Sequence, residues 1–314
     1  MNIVPIVFAF DSNLLYPAHI CISSLLTSAK SDTFYDIYIL YSTKSGLTDN
    51  SLCKILNYYS NCRIQYRLVD NSFDSSFEIR GITTPAYYRL LIPELIPEYD
   101  KIIYSDVDVI FRSDMFEIYD SIDLENYYLA GVNSLSHLIP ENVKYYEKMG
   151  LDAHNIIYSG NLIFNSKKLR EEDIVKKFKA MSKNKYKFQD MDILNLVCKD
   201  KIKYISPVFC LTTYISEWNV YNKDVLFEFW DELTISKALS EGIIHYNGQK
   251  PWKGLCVNFD IWWEYYRKSP FFDEKFYFDF FYHKLNELDG LSLLKRIKIL
   301  VRYFVFGRKN IDCC

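Results

Sequence analysis

Asp106 and Asp108, within Tyr104-Ser-Asp-Val-Asp-Val-Ile-Phe111, are two carboxylates one residue apart in otherwise apolar sequence. Burying one carboxylate is costly without a partner, and burying two side by side costs more. On an extended chain, one intervening residue puts both side chains on the same face. Carboxylates converging at a strand end suit a hard cation, Mg²⁺ or Mn²⁺, that also holds phosphate. Two solvated acids at a strand end would read the same way, so the tripeptide alone leaves both open. Three other places carry related chemistry. Asp11-Ser12-Asn13 closes an apolar run as a loop and helix-start signal. Asp190 precedes an apolar helical run, a position that also suits a plain helix cap. His245 is followed by Gly248 and Lys250, which can set imidazole, backbone N–H and ammonium around one polyphosphate, although a lone His is commonly structural.

The elements that must position these residues alternate. Ile3–Phe10, Tyr35–Tyr41 and Arg63–Val69 read as strands, with helical patterns at Pro17–Ala29 and 51–60 between them. A buried strand enters at Lys101 and leaves at Phe111, with the acid pair between, and Tyr128–Val132 is another. Ile156–Asn165 carries Ser159-Gly160 in mid-strand, the mark of a bulge or of close approach to a ligand. Lys167–Met181 reads as one charged amphipathic helix, Phe188–Val197 as a helix opening on acids, and Ile243–Lys253 as a strand followed by a Gly-bearing loop. Strands alternating with helices predict a mixed, mostly parallel sheet flanked by helices, an α/β class whose ligands sit at the carboxyl ends of strands. Asp11 and the 106–108 pair both fall at such ends.

The 314 residues carry 49% hydrophobic side chains and a net charge of -3, enough for a sizeable core and no electrostatic reason to expect nucleic acid. The eight cysteines form no CxxC pair and no Cys/His ligand spacing, which suits a reducing compartment. No targeting segment and no apolar run long enough to span a bilayer is expected. The end of the chain changes character. Phe271–Tyr282 is dense in aromatics, and Leu291–Cys314 is basic. On a helical wheel Leu293, Leu294, Ile297, Leu300, Val301, Phe304 and Val305 share one face, and Lys295, Lys298 and Arg302 share another. That is the composition of a helix lying on an anionic membrane, and equally of a terminal helix docked on a core. Two regions are therefore expected: an α/β domain over 1–255, which the resemblance below makes the catalytic one, and an amphipathic helical extension over 256–314.

Together these stretches resemble glycosyltransferase family 8, the group that includes lipopolysaccharide α-galactosyl- and α-glucosyltransferases and glycogenin. Four motifs occur in the family's order over roughly the first 255 residues: Phe8-Ala-Phe-Asp-Ser-Asn13; Tyr88-Arg89-Leu90 ahead of Ser105-Asp-Val-Asp108; Asp190-Met-Asp-Ile-Leu-Asn195; and His245-Tyr-Asn-Gly-Gln-Lys-Pro-Trp252. The resemblance implies the GT-A type of nucleotide-sugar fold and transfer of a hexose from a UDP-sugar with retention. It implies that Asp106, Asp108 and His245 hold Mn²⁺ (or Mg²⁺). Ala9, Asp11 and Asn13 would meet the uridine, Gly248 and Lys250 the phosphates, and Arg89, Asp106 and Asp190 the donor sugar, with Val107 and Gly160 also in the donor site and Asp190 and Arg89 nearest the chemistry. An oligosaccharide or glycolipid acceptor at the inner face of a bacterial plasma membrane would follow. Met191 stands where many members have Gln, Tyr158 where many have Asn, and the last motif is one residue short between Gly248 and Lys250. A catalytically silent UDP-sugar binder and a self-glucosylating, glycogenin-like primer are the competing readings.

Overall fold

In the computed structural model, which describes residues 1–70, 73, 77 and 84–302, ten strands form two sheets. Strands β1 (Asn2–Ala9), β2 (Thr33–Tyr41), β3 (Cys62–Leu68), β4 (Lys101–Ser105), β6 (Leu129–Asn133), β7 (Ile157–Asn165) and β8 (Ile202–Tyr204) form the larger sheet, in the order β3-β2-β1-β4-β7-β6-β8. Strands β5 (Val109–Ile110), β9 (Leu211–Thr212) and β10 (Ile244–His245) form the smaller one, in the order β5-β10-β9. In the larger sheet β7 alone runs against its neighbours β4 and β6, while the other paired strands are parallel. The expected mixed, mostly parallel sheet is thus present.

β1 is buried from Val4 to Ala9 and β2 over most of its length, as strands covered on both faces must be. Pro5 has no N–H to donate, and pairing of β1 with β4 begins just beyond it, at Ile6. On one face Val7, Tyr38, Tyr104 and Phe164 pack with Leu90, Ile92, Ile193 and Leu194 in a single core cluster. Those contacts fix the short helical turns carrying Arg89 and the helix Asp190–Val197 against the sheet.

Three local expectations are corrected. Residues 101–111 are not one strand. β4 belongs to the large sheet and β5 to the small one, and the chain bends through Asp106–Asp108 between them. Alternation along an extended chain therefore does not bring the two acids together; the bend does. The segment 51–60 contains only a 3₁₀ turn, Cys53–Asn57. The helix expected over Lys167–Met181 is two, Ser166–Glu171 and Ile174–Met181, because Asp173 between them adopts a left-handed φ of 55°.

The chain divides into two compact units, 1–265 and 266–314. In the second, Glu274–Asp289 and Leu293–Arg302 are helices, and Leu293, Leu294, Ile297, Leu300 and Val301 are exposed. Phe304 and Val305, placed on the same face by the sequence pattern, lie outside the described residues. Among the described residues, no helix is long and apolar enough to cross a membrane.

Candidate active site

The ends of β1 and β4, the middle of β7 and the end of β10 meet at one place. Asp106, Asp108 and His245 each offer one ligand atom there, all within 4.8 Å of one another. β10 pairs antiparallel with β5, His245 opposite Val109, so the small sheet carries the imidazole to the acids. Gly160 is what permits the approach. A Cβ there would lie 2.2 Å from His245 Cε1 and 2.9 Å from Asp106 Oδ2. The expected close approach in mid-β7 is therefore made by the protein's own side chains.

The hydrogen-bond network assigns the tautomer of His245. Asn161 donates through Nδ2 to Ser105 Oγ at 3.1 Å, which leaves its Oδ1 to accept from His245 Nδ1 at 2.8 Å. Nε2 then presents its lone pair toward Asp108 Oδ1 at 3.1 Å and Asp106 Oδ2 at 3.6 Å. Three electron-rich groups converging on one point is an arrangement that a divalent cation satisfies, and an orienting bond on the far imidazole nitrogen is the usual support for such a ligand. The donor set fits the cation. Tyr158 OH also lies 3.2 Å from Nε2. Burial would raise the Asp108 carboxyl, but the charge of Lys250 outweighs it and holds it well below the usual carboxylate range. The Lys250 ammonium pairs directly with Asp108 and donates to the Tyr246 carbonyl at 2.6 Å.

Arg89 is buried beside the same acids, its guanidinium 4.3 Å from the centre of the Tyr104 ring. It donates to Asp106 Oδ1 at 2.9 Å, to the Ser159 carbonyl, and through Nε to the Ala86 carbonyl at 2.9 Å. Tyr104 OH gives Asp106 Oδ1 a second bond, at 2.6 Å. Asp190 Oδ2 lies 3.3 Å from Arg89 Nε, yet it has no hydrogen-bond partner among the described residues, because that N–H is aimed at Ala86. This explains an asymmetry in the pair. Burial alone would lower Arg89, but Asp106 and Asp190 hold it charged. Burial pushes the Asp190 carboxyl up to about 6, because Arg89's charge offsets only part of that cost and Asp106 adds to it.

The rest of the Asp190 motif is scaffold. Asp192 accepts from Tyr145 OH and Tyr146 OH, both at 2.7 Å, and from Phe188 N–H at 2.9 Å. Asn195 clasps Ile157 of β7, accepting its N–H at 2.8 Å and donating to its carbonyl at 3.1 Å. Gln189 stands just ahead of the helix Asp190–Val197, with φ 50° and ψ −120°, a strained backbone for a residue with a side chain. Its Nε2 donates to the Phe77 carbonyl at 2.9 Å.

Two cavities share Ala86, Arg89, Asp106 and Asp108. One, of about 160 Å³, is also lined by Ala9, Asp11, Leu14 and Val107. The other, of about 520 Å³, holds Asp190, Met191, Tyr158 and His245. Asn13, Gly248 and Lys250 line neither. Asn13 is exposed and serves the loop through its N–H to Asp11 Oδ1, at 2.9 Å. Asn161, Tyr104 and Lys187 were not singled out by the sequence. Asn161's only signal is its place two residues after Ser159 on the same strand.

With this geometry in view, residues 5–256 match the family model for glycosyl transferase family 8. The chain belongs to that family. A Haemophilus influenzae protein bearing a glycosyltransferase name is 30% identical over 217 residues, covering 68% of this chain and 63% of its own length. General stress protein A of Bacillus subtilis is 26% identical over 226 residues, covering 68% of this chain and 72% of its own. Among solved structures, an active-site mutant of LgtC superposes with a TM-score of 0.71 at 22% identity, covering 87% of this chain and 98% of that one. The galactosyltransferase LgtC with donor and acceptor sugar analogs gives 0.68 over the same shares. The GT-A fold of this family-8 chain is thereby established.

Two consequences can be measured. Asn161→Ala frees the His245 ring and is expected to cost about 10- to 100-fold in Mn²⁺ affinity by calorimetry; unchanged affinity would mean that Asn161 does not set the tautomer. Asp190 has a folded pKa above its unfolded value, so its contribution to stability is full below about pH 4 and is lost as pH rises through about 6. Asp190→Asn, a neutral isostere, should therefore match the parent near pH 4 and exceed it at pH 7.5 by about 2–3 kcal/mol in urea unfolding without ligands. Equal stability at both pH values would show that Arg89 fully compensates the buried charge.

Proposed function

We propose that the chain is a retaining hexosyltransferase that moves glucose or galactose from a UDP-sugar to a glycan or glycolipid acceptor such as lipopolysaccharide, with Mn²⁺ (or Mg²⁺) held by Asp106, Asp108 and His245. The observation that carries this reading is the placement of that ligand set against the Arg89–Asp190 pair within one cavity. The smaller cavity, with Ala9, Asp11 and Val107, suits the nucleoside, and Asn13 supports its loop.

When bound, the cation neutralises charge developing on the diphosphate as the sugar–phosphate bond breaks. Lys250 adds a second positive charge beside it, and the backbone at Gly248 offers N–H groups. Gly160 lets His245 and Asp106 close together beneath the donor, and Arg89 and Asp106 orient the hydroxyls of the hexose. Asp190 Oδ2, buried without a donor of its own, accepts a sugar hydroxyl or faces the anomeric carbon. It serves there as nucleophile or as stabiliser of an oxocarbenium-like transition state. In a same-face reaction the leaving phosphate takes the acceptor's proton, and no protein base is required. Met191 brings no amide to this wall, so donor recognition near the anomeric centre falls to Asp190 and Arg89.

The exposed apolar residues of the helix Leu293–Arg302, with Lys295 and Lys298 on the same helix, support peripheral contact with an anionic membrane on the cytoplasmic side. The full chain is expected to co-sediment with phosphatidylglycerol vesicles and to be released by salt. Equal partition to neutral vesicles would remove the electrostatic part of that proposal. For the chemistry, UDP release is expected from one UDP-hexose in preference to others, dependent on Mn²⁺ and lost in Asp108→Ala. Binding of a UDP-sugar without turnover, even with glycolipid added, would favour a silent binder.

A further inference from the structure

The helix Thr213–Tyr221 starts from the strand next to His245. Its opening is fixed on both sides. Thr212, its N-cap, lies opposite His245 where β9 pairs with β10, and the Thr213 N–H donates to Asn247 Oδ1 at 2.9 Å. Ile215 and Ser216 are buried and set the inner face of the helix. Tyr214, Trp218 and Tyr221 follow one another at i, i+4 and i+7, which groups them on the other side. Tyr214 lines the larger cavity, the one that holds Arg89, Asp190 and His245. Trp218 is half-buried and meets Tyr214 edge to face, with ring centres 6.0 Å apart. Tyr221, one turn further on, is 71% exposed. The aromatic stripe therefore begins in the wall of the cavity and ends on open surface.

The polar groups along this stripe are uncommitted. The hydroxyls of Tyr214 and Tyr221, the Trp218 Nε1–H and the half-buried Glu217 carboxylate have no hydrogen-bond or ion-pair partner among the described residues. Glu217 stands three residues after Tyr214 and four before Tyr221, so it flanks the rings. An apolar partner laid on this face would strip water from that carboxylate and give nothing back. A sugar behaves differently. It sets the C–H face of its ring on an aromatic ring while its hydroxyls give and accept hydrogen bonds at the edges, and rings with free polar tips beside a carboxylate match that pattern. The helix rises roughly 6 Å from Tyr214 to Trp218 and roughly 4.5 Å from Trp218 to Tyr221, each step comparable with one sugar ring. We propose that this stripe is a track for the acceptor glycan. The terminal sugar enters the cavity at Tyr214 and the sugars behind it lie over Trp218 and Tyr221, so the acceptor is an oligosaccharide rather than a single sugar. The inference rests on the transferase reading above and adds the length class of its acceptor.

Calorimetry of the parent protein with Mn²⁺ and UDP, against malto-, cello-, laminari- and galacto-oligosaccharides of one to five sugars, reads the track directly. In at least one series, Kd is expected to fall by about two- to tenfold with each of the second and third sugars, the range of one aromatic stacking contact, and then to level off. Trp218→Ala should abolish most of that gain, Trp218→Phe should keep most of it, and Tyr221→Ala should remove only the outermost step. The affinity for UDP reports that each variant is folded. A parent that binds no oligosaccharide better than its monosaccharide, or a gain with length that persists in both alanine variants, overturns the inference and leaves the transferase reading intact. A gain with length in a protein that releases UDP from no UDP-hexose overturns the transferase reading and, with it, the acceptor role of the track.

Discussion

Charge balance among three crowded carboxylates, one buried and two half-buried, governs the centre of this molecule. Asp106, Asp108 and Asp190 all face one cavity, and no fold tolerates three such groups without positive partners. Arg89 and Lys250 supply them from a turn before β4 and from the loop after β10, while His245, on β10 itself, adds a neutral ligand atom beside the acids. The smaller sheet exists in that sense to bring β10 to the bend after β4. Arg112, just beyond β5, donates to the carbonyls of Ala238, Leu239 and Gly242 at the end of the helix Glu232–Glu241, and so secures the chain that leads into β10.

The balance is complete at Asp106 and Asp108 and incomplete at Asp190. Arg89 spends its well-directed N–H groups on Asp106 and two backbone carbonyls, so Asp190 keeps an acceptor unsatisfied next to a strained Gln189. Local cost of this kind is common where a ligand is meant to complete the arrangement. The surrounding scaffold sustains it: Asp192 ties the approach to the helix onto two tyrosines, and Asn195 ties its second turn to β7.

Met191 and Tyr158, two of the departures from the usual family residues, line the same cavity as these charged groups.

Much of this was legible in the sequence. Hydrophobic runs set off by Asp, Gly and Pro marked β1, β2, β3, β4 and β7, because buried strands must be apolar and loops must break them. The family motifs named Arg89, Asp106, Asp108, Asp190 and His245 before any contact was visible. What only the tertiary structure decided were relations between distant segments. The bend at Asp106–Asp108 depends on β4 and β5 joining different sheets, which no local pattern encodes. The break at Asp173 and the 3₁₀ turn at Cys53–Asn57 reflect packing that overrode helical periodicity. Asn161's hold on His245, Gly160's accommodation of that ring, and the poor aim of Arg89 at Asp190 are matters of tenths of an ångström between residues tens of positions apart. Sequence fixes which groups are available; the directions in which their hydrogen bonds point are set only when the chain has folded.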